Sequence, residues 1–342
     1  MVQELLMNYS SVVREVDRLL EGQGIRRDEN LDYTCGIYEN SELVATGSLF
    51  GNTVRCLAVS EEHRGEALLN SIVSHLLSVE AERGNSHVFV YTKPDTAKLI
   101  ATLGFYVIAE VGKKVVFMEN RKDGFSGFLH SLSEFRRPGK SAGIVMNAAP
   151  FTLGHRYLVE RAAEENDTVH VFVLSEENNP IPFRTRKMLV TEGLRDIDNV
   201  LVHGSGPYMI SSATFPGYFF RDREDSIISH AKLDTELFSR IAETLGITSR
   251  YVGNEPFSTV TKLYNSVLSE QLPGHGIRYR MVERLEKDGR IVSASAVRRA
   301  IHDGRMEEVR DMLPQHVYDY LSSPECSSVL SAIMDMDAPE HY

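Results

Sequence analysis

Thr152-Leu153-Gly154-His155 puts a hydroxyl, a glycine and an imidazole side by side, just past the apolar run Gly143-Ile144-Val145-Met146. A strand that ends in a turn and feeds straight into a helix brings free backbone N–H groups and the positive helix end to one point. The natural occupant of such a point is an anion, most often a phosphate. Gly154 allows close backbone approach, Thr152 adds a donor, and His155 aims an imidazole at the same group. Chemistry at phosphorus is the expectation. Alone, the pattern equally describes a threonine cap followed by an ordinary surface histidine.

A second segment, Val292-Ser293-Ala294-Ser295-Ala296-Val297-Arg298, sets two hydroxyls at a helix start and an arginine a turn later. Those groups suit the outer phosphates of a nucleotide. Together the two segments resemble the nucleotidyltransferase superfamily, with its (H/T)xGH motif after the first strand and its late ISxTxxR-type motif. Val292 replaces the usual Ile and Ser295 the usual Thr, while Thr152 stands where many members carry His. Longer blocks, residues 146–159, 211–219 and 251–256, are similar to the signature of the citrate lyase ligase family.

That resemblance implies ATP-dependent activation of acetate to acetyl-AMP. Acetyl transfer to the phosphoribosyl-dephospho-CoA thiol on the acyl carrier subunit of citrate lyase would follow. It implies that His155 meets the α-phosphate, that Thr152 anchors the same phosphates, and that Ser293, Ser295 and Arg298 hold the leaving pyrophosphate. Asn147, Phe151, Gly253 and Glu255 are candidates to line the nucleotide pocket, and magnesium would arrive with ATP. Arg184, Arg186 and Lys187, after a strand, are within reach of phosphates but read first as solvated residues at a helix start, and the aromatic stretch 215–220 reads as core or as the wall of an acyl tunnel.

The elements that must carry these residues fall into two rhythms. Residues 1–123 mix helical patterns (12–20, 67–83, 97–102) with short strand-like segments at 33–38, 43–50, 54–59, 87–91, 106–111 and 114–118. Gly51-Asn52 is a hairpin turn between two of them. The stretch Glu62-His63-Arg64-Gly65-Glu66-Ala67 resembles the acyl-CoA-binding turn of the GNAT acetyltransferases, (Q/R)xxGx(G/A), with Glu62 where Gln or Arg is usual. Leu103-Gly104-Phe105 matches a later element of that family. The resemblance implies a GNAT-like α+β domain in which Arg64, Gly65 and Ala67 face a CoA-like arm.

Residues 124–140 read as a linker. From 141 to 342, buried runs at 143–146, 169–174, 200–202 and 250–252 alternate with helical stretches such as 157–164 and 186–194, which predicts a Rossmann-like parallel sheet. A loosely held tail is expected from about 323. The fold class is thus α/β, with a GNAT-like α+β domain followed by a nucleotidyltransferase domain.

Composition is that of a soluble protein, 42% hydrophobic and 25% charged, with a net charge of −11. No basic run suggests nucleic acid, no apolar run suggests a membrane, and the start lacks a signal-peptide pattern, so a cytoplasmic location is expected. Three scattered cysteines suggest neither a metal knuckle nor a disulfide framework. Two other functions fit the same residues: adenylyl transfer to a phosphorylated cofactor precursor such as phosphopantetheine, and non-catalytic docking of a carrier protein.

Overall fold

Alternating strands early in the chain and continuous apolar runs later give two different sheets. The computed structural model describes all residues except 65–66, 212–213, 221, 255–257 and 337–342. Packing divides the chain into an N-terminal unit, Met1–Ser126 with Phe215–Leu233, and a C-terminal unit, Gly127–Thr214 with Asp234–Tyr342.

The N-terminal unit runs β1 (Gln3–Glu4), α1 (Ser10–Gly22), β2 (Tyr33–Glu39), β3 (Glu42–Phe50), β4 (Thr53–Val59), α2 (Leu68–Glu82), β5 (Phe89–Thr92), α3 (Pro94–Thr102), β6 (Tyr106–Val111) and β7 (Val115–Glu119). Its seven-stranded sheet has the order β1-β2-β3-β4-β5-β7-β6. Neighbours pair antiparallel except β4 and β5, which pair parallel at Thr53↔Phe89 and Val54↔Val90. The β3–β4 hairpin turns at Gly51, whose φ of 51° favours glycine. Gly47 lets α2 lie against β3, since a Cβ there would sit 2.5 Å from Ile72. Phe215, Tyr218, Phe219 and Phe220 are buried, and Phe215 packs edge-on to Tyr91, so this aromatic stretch is core.

Arg64 is exposed and is held by Gln23 and Glu61. Ala67, also exposed, precedes α2, and Gly65 lies outside the described residues.

The stretch 124–140 contains a helix, α4 (Gly124–Ser133). Then follow β8 (Ser141–Met146), α5 (Leu153–Glu165), β9 (Thr168–Val173), α6 (Phe183–Gly193), β10 (Val200–Gly204), α7 (Arg223–Leu245), β11 (Ile247–Gly253), α8 (Thr259–Gln271) and β12 (Arg278–Val282). A small hairpin of β13 (Glu286–Lys287) and β14 (Arg290–Ile291) leads to α9 (Ala294–His302), α10 (Gln315–Leu321) and α11 (Ser327–Met334). The sheet is parallel throughout, in the order β10-β9-β8-β11-β12. From β8 the chain builds outward to β10, then returns to the other side of β8 with β11. The carboxyl ends of β8 and β11 therefore flank the point where strand order reverses, the usual ligand site of such sheets.

One face of this sheet packs against α5, α6 and α9 through Val159, Leu189, Val190, Val297 and Ile301. The end of the chain joins the same core through Cys326, Val329 and Ile333, so residues expected as a loose tail form α11 and pack down to Met336. On the other face Gly143 makes room for Phe238, which would lie 2.7 Å from a Cβ.

Arg250 of β11 is buried in an ion pair with Asp234 at 2.5 Å, its guanidinium lying 4.4 Å over the Phe238 ring. Removing one partner of a buried pair strands the other charge without compensation. Asp234→Ala should therefore lower stability by about 3–5 kcal/mol in denaturant melts. A loss below about 1 kcal/mol, typical of an exposed pair, would contradict the burial.

Candidate active site

All residues of β8 except Val145 are buried, and the strand delivers Asn147 to the reversal point of the sheet. The turn that follows, Asn147 to Phe151, is held from two sides. Arg186 Nη1 donates to the Asn147 carbonyl at 2.8 Å, and Arg298 Nη1 donates to the Ala149 carbonyl at 2.6 Å. Between them Ala148 has φ 54°, a left-handed conformation that non-glycine residues keep only where their surroundings impose it.

Thr152 then caps α5. Its Oγ1 accepts from His155 N at 3.3 Å, and its own N–H donates to His155 Nδ1 at 3.1 Å. A backbone N–H can only donate, so Nδ1 carries the lone pair and Nε2 carries the proton. The threonine cap and the functional histidine are one structure: the cap sets the tautomer. The ring stacks on Phe151, with centroids 5.9 Å apart. Burial, reinforced by the Arg284 and Arg298 charges, pushes the imidazole down to about 4. His155 thus offers a neutral N–H donor at physiological pH.

The late motif meets the early one here. A Cβ on Gly154 would lie 2.5 Å from the Val292 carbonyl, so this glycine is required for packing between the two segments. Ser293 caps α9 by accepting from Ala296 N at 3.1 Å, and its hydroxyl lies 3.1 Å from that of Ser295. The amino ends of α5 and α9 are therefore adjacent, and two sets of unpaired N–H groups supply positive potential. Arg298 is 5% exposed.

Gly253 closes β11, and a Cβ there would meet open space. Asn147 is half-buried beside it in strand order, whereas Phe151 has no exposed surface and supports the imidazole from the core. Glu255 lies outside the described residues. The structure brings Thr152, Gly154, His155, Ser293, Ser295 and Arg298 together.

Sequence reasoning missed two arginines. Arg186 is fully buried, contrary to its reading as a solvated residue, because five acceptor oxygens surround its guanidinium. The apolar Ile181-Pro182-Phe183 before it was the available hint. Arg284, whose Nε donates to the Asn254 carbonyl at 2.6 Å, follows β12. The alternating charges Arg278 and Arg280 hid that edge strand.

The profile of the citrate lyase ligase C-terminal domain matches residues 141–321. Over 312 residues the chain is 36% identical to the citrate (pro-3S)-lyase ligase of Klebsiella pneumoniae, covering 90% of this chain and 91% of that protein. The chain belongs to the citrate lyase ligase family. Another member, from Escherichia coli K12, is 34% identical over 318 residues, covering 90% of each chain. Solved structures similar to 35% of the chain include Escherichia coli ElaA, at 18% identity and a TM-score of 0.32 with 99% of that chain covered. An aminoglycoside 6'-N-acetyltransferase complexed with coenzyme A follows at 11% identity and 0.30, with 95% of that chain covered.

Two further histidines of the C-terminal unit, His170 and His203, are buried on β9 and β10. His170 Nδ1 and His203 Nε2 are 3.0 Å apart, and burial pushes the two side chains down to about 4 and about 3. All three lowered histidines are neutral when folded, while unfolded histidines take up protons near pH 6.5. Their contribution to stability is therefore complete above about pH 6.5 and is lost as pH falls towards about 4, by at most about 1.4 kcal/mol per histidine per pH unit. Urea melts at about pH 7, 6 and 5 should show a falling midpoint, before most carboxylates titrate. A constant midpoint across that window would contradict neutral burial.

Proposed function

We propose that the chain joins acetate to ATP as acetyl-AMP and then acetylates the phosphoribosyl-dephospho-CoA thiol on the acyl carrier subunit of citrate lyase. In the first step an acetate oxygen attacks the α-phosphorus and pyrophosphate leaves. In the second the thiol sulfur attacks the acetyl carbonyl, AMP leaves, and the thiol proton passes to solvent. The observation that carries this reading is the meeting of two capped helix ends and a neutral His155 at the reversal point of the parallel sheet.

Acetate is ionised near neutral pH, so the first step needs no general base. It needs in-line placement and stabilisation of charge on the phosphoryl oxygens. His155 Nε2–H would donate to an α-phosphate oxygen without itself requiring a proton from solvent. Thr152 and the α5 amides would hold the same phosphate. Ser293, Ser295 and Arg298, with Arg284 nearby, would receive the pyrophosphate. Asn147, Gly253 and Glu255 would border the nucleotide, with Phe151 acting through the imidazole it supports. Magnesium enters as MgATP, its ligands mostly phosphate oxygens and water. Arg64, Gly65 and Ala67 are assigned to the CoA-like arm, and the reaction to the cytoplasm.

With ATP and acetate the protein should release pyrophosphate, and hydroxylamine should trap acetyl hydroxamate. His155→Ala should cut turnover about 10²–10³-fold, the loss typical of one charge-stabilising donor, with an unchanged fold. Pyrophosphate release that ignores acetate would instead favour adenylyl transfer to a phosphorylated acceptor. Full activity of His155→Ala would leave carrier docking as the better reading.

A further inference from the structure

Among the described residues no fully buried side chain is larger than Arg186. Its Nε donates to the Ile181 carbonyl at 3.0 Å and its Nη2 to the Glu176 carbonyl at 2.5 Å. Its Nη1 serves three oxygens at 2.8 Å: the Leu174 carbonyl, the Asn147 carbonyl and Asn147 Oδ1. The acceptors lie just past β8 and along the loop from β9 into α6, so one planar group ties together two pieces of chain at the carboxyl edge of the sheet.

Asn147 is the acceptor with chemistry to offer. Its Oδ1 also receives Asn179 Nδ2 at 3.3 Å, so both acceptor sites of the amide oxygen are taken. A reversed amide would set N–H donors against the guanidinium, so the neighbours fix which end of the amide faces which way. With the oxygen turned to Arg186, the amide nitrogen is turned away from it, on a half-buried residue at the reversal point.

We propose that Arg186 is a positioning residue for adenylyl transfer: it holds the Asn147 amide so that its N–H groups meet a phosphate oxygen of the nucleotide. This rests on the acyl-adenylate reading given above. Arginine suits the task because its fork reaches several carbonyls in one plane, which an ammonium cannot do.

Asn147→Asp separates this role from a purely structural one. It keeps both oxygens that Arg186 requires and pairs them with a charge, but it replaces the donors with a carboxylate facing the phosphates. The variant should melt at or above the native temperature. Its acetate-dependent pyrophosphate release should fall about 10–100-fold in kcat/KM for ATP, since the lost donors serve both phosphate binding and alignment. Arg186→Lys should show a similar loss, and the loss in Asn147→Ala/Arg186→Lys should fall short of the product of the two single losses, because part of each acts through one amide. Binding of a non-hydrolysable ATP analogue, followed by calorimetry, should weaken in Asn147→Asp.

An Asn147→Asp protein within about twofold of native activity and affinity would overturn the proposal, as would independent losses that multiply in the double variant. If Arg186→Lys does not fold, Asn147→Asp decides alone. Should native protein bind the analogue yet release no acetate-dependent pyrophosphate, the ligase reading fails and the affinity comparison still judges Arg186.

Discussion

Two buried guanidinium groups shape the turn on which the C-terminal unit depends. Arg186 grips the carbonyl before Ala148 and Arg298 grips the one after it. Left-handed backbone at an alanine costs on the order of 1–3 kcal/mol, so the turn would relax without such a clamp. Burying arginine is itself unfavourable unless its N–H groups are satisfied, and here the backbone of the turn supplies acceptors. Each problem is the solution to the other.

The electrostatic character of the site follows. Burial, and after it the Arg284 and Arg298 charges, disfavour an imidazolium and leave the Nε2–H as a neutral donor. Such a site is matched to an anion that gains charge during reaction. It is poorly matched to proton abstraction, for which a side chain titrating nearer neutrality would serve. Acetate, already ionised, makes no such demand.

Most of the architecture was legible from residue patterns. Continuous apolar runs marked β8 and β9, alternation marked the antiparallel strands, and both phosphate motifs fell at helix starts. The edge strand β12 was not legible, because an edge can carry Arg278 and Arg280 on exposed positions. Nor was the burial of Arg186, since a charged residue on an amphipathic helix looks the same whether its partners are water or carbonyl oxygens from distant loops. The packing of α11 escaped for a similar reason: a short apolar helix near the end of the sequence reveals its contacts only once the core exists. Gly154 was read as room for a ligand, whereas the Val292 carbonyl occupies that room. Local sequence reports which residue is needed more readily than what presses against it.

That tight approach of Gly154 to Val292 has a consequence for biosynthesis. The strand and helix carrying His155 emerge from the ribosome long before the serine segment that completes their surroundings. A nascent chain halted between the two would own only half of that arrangement. The arrangement is thereby reserved for chains synthesised past that segment.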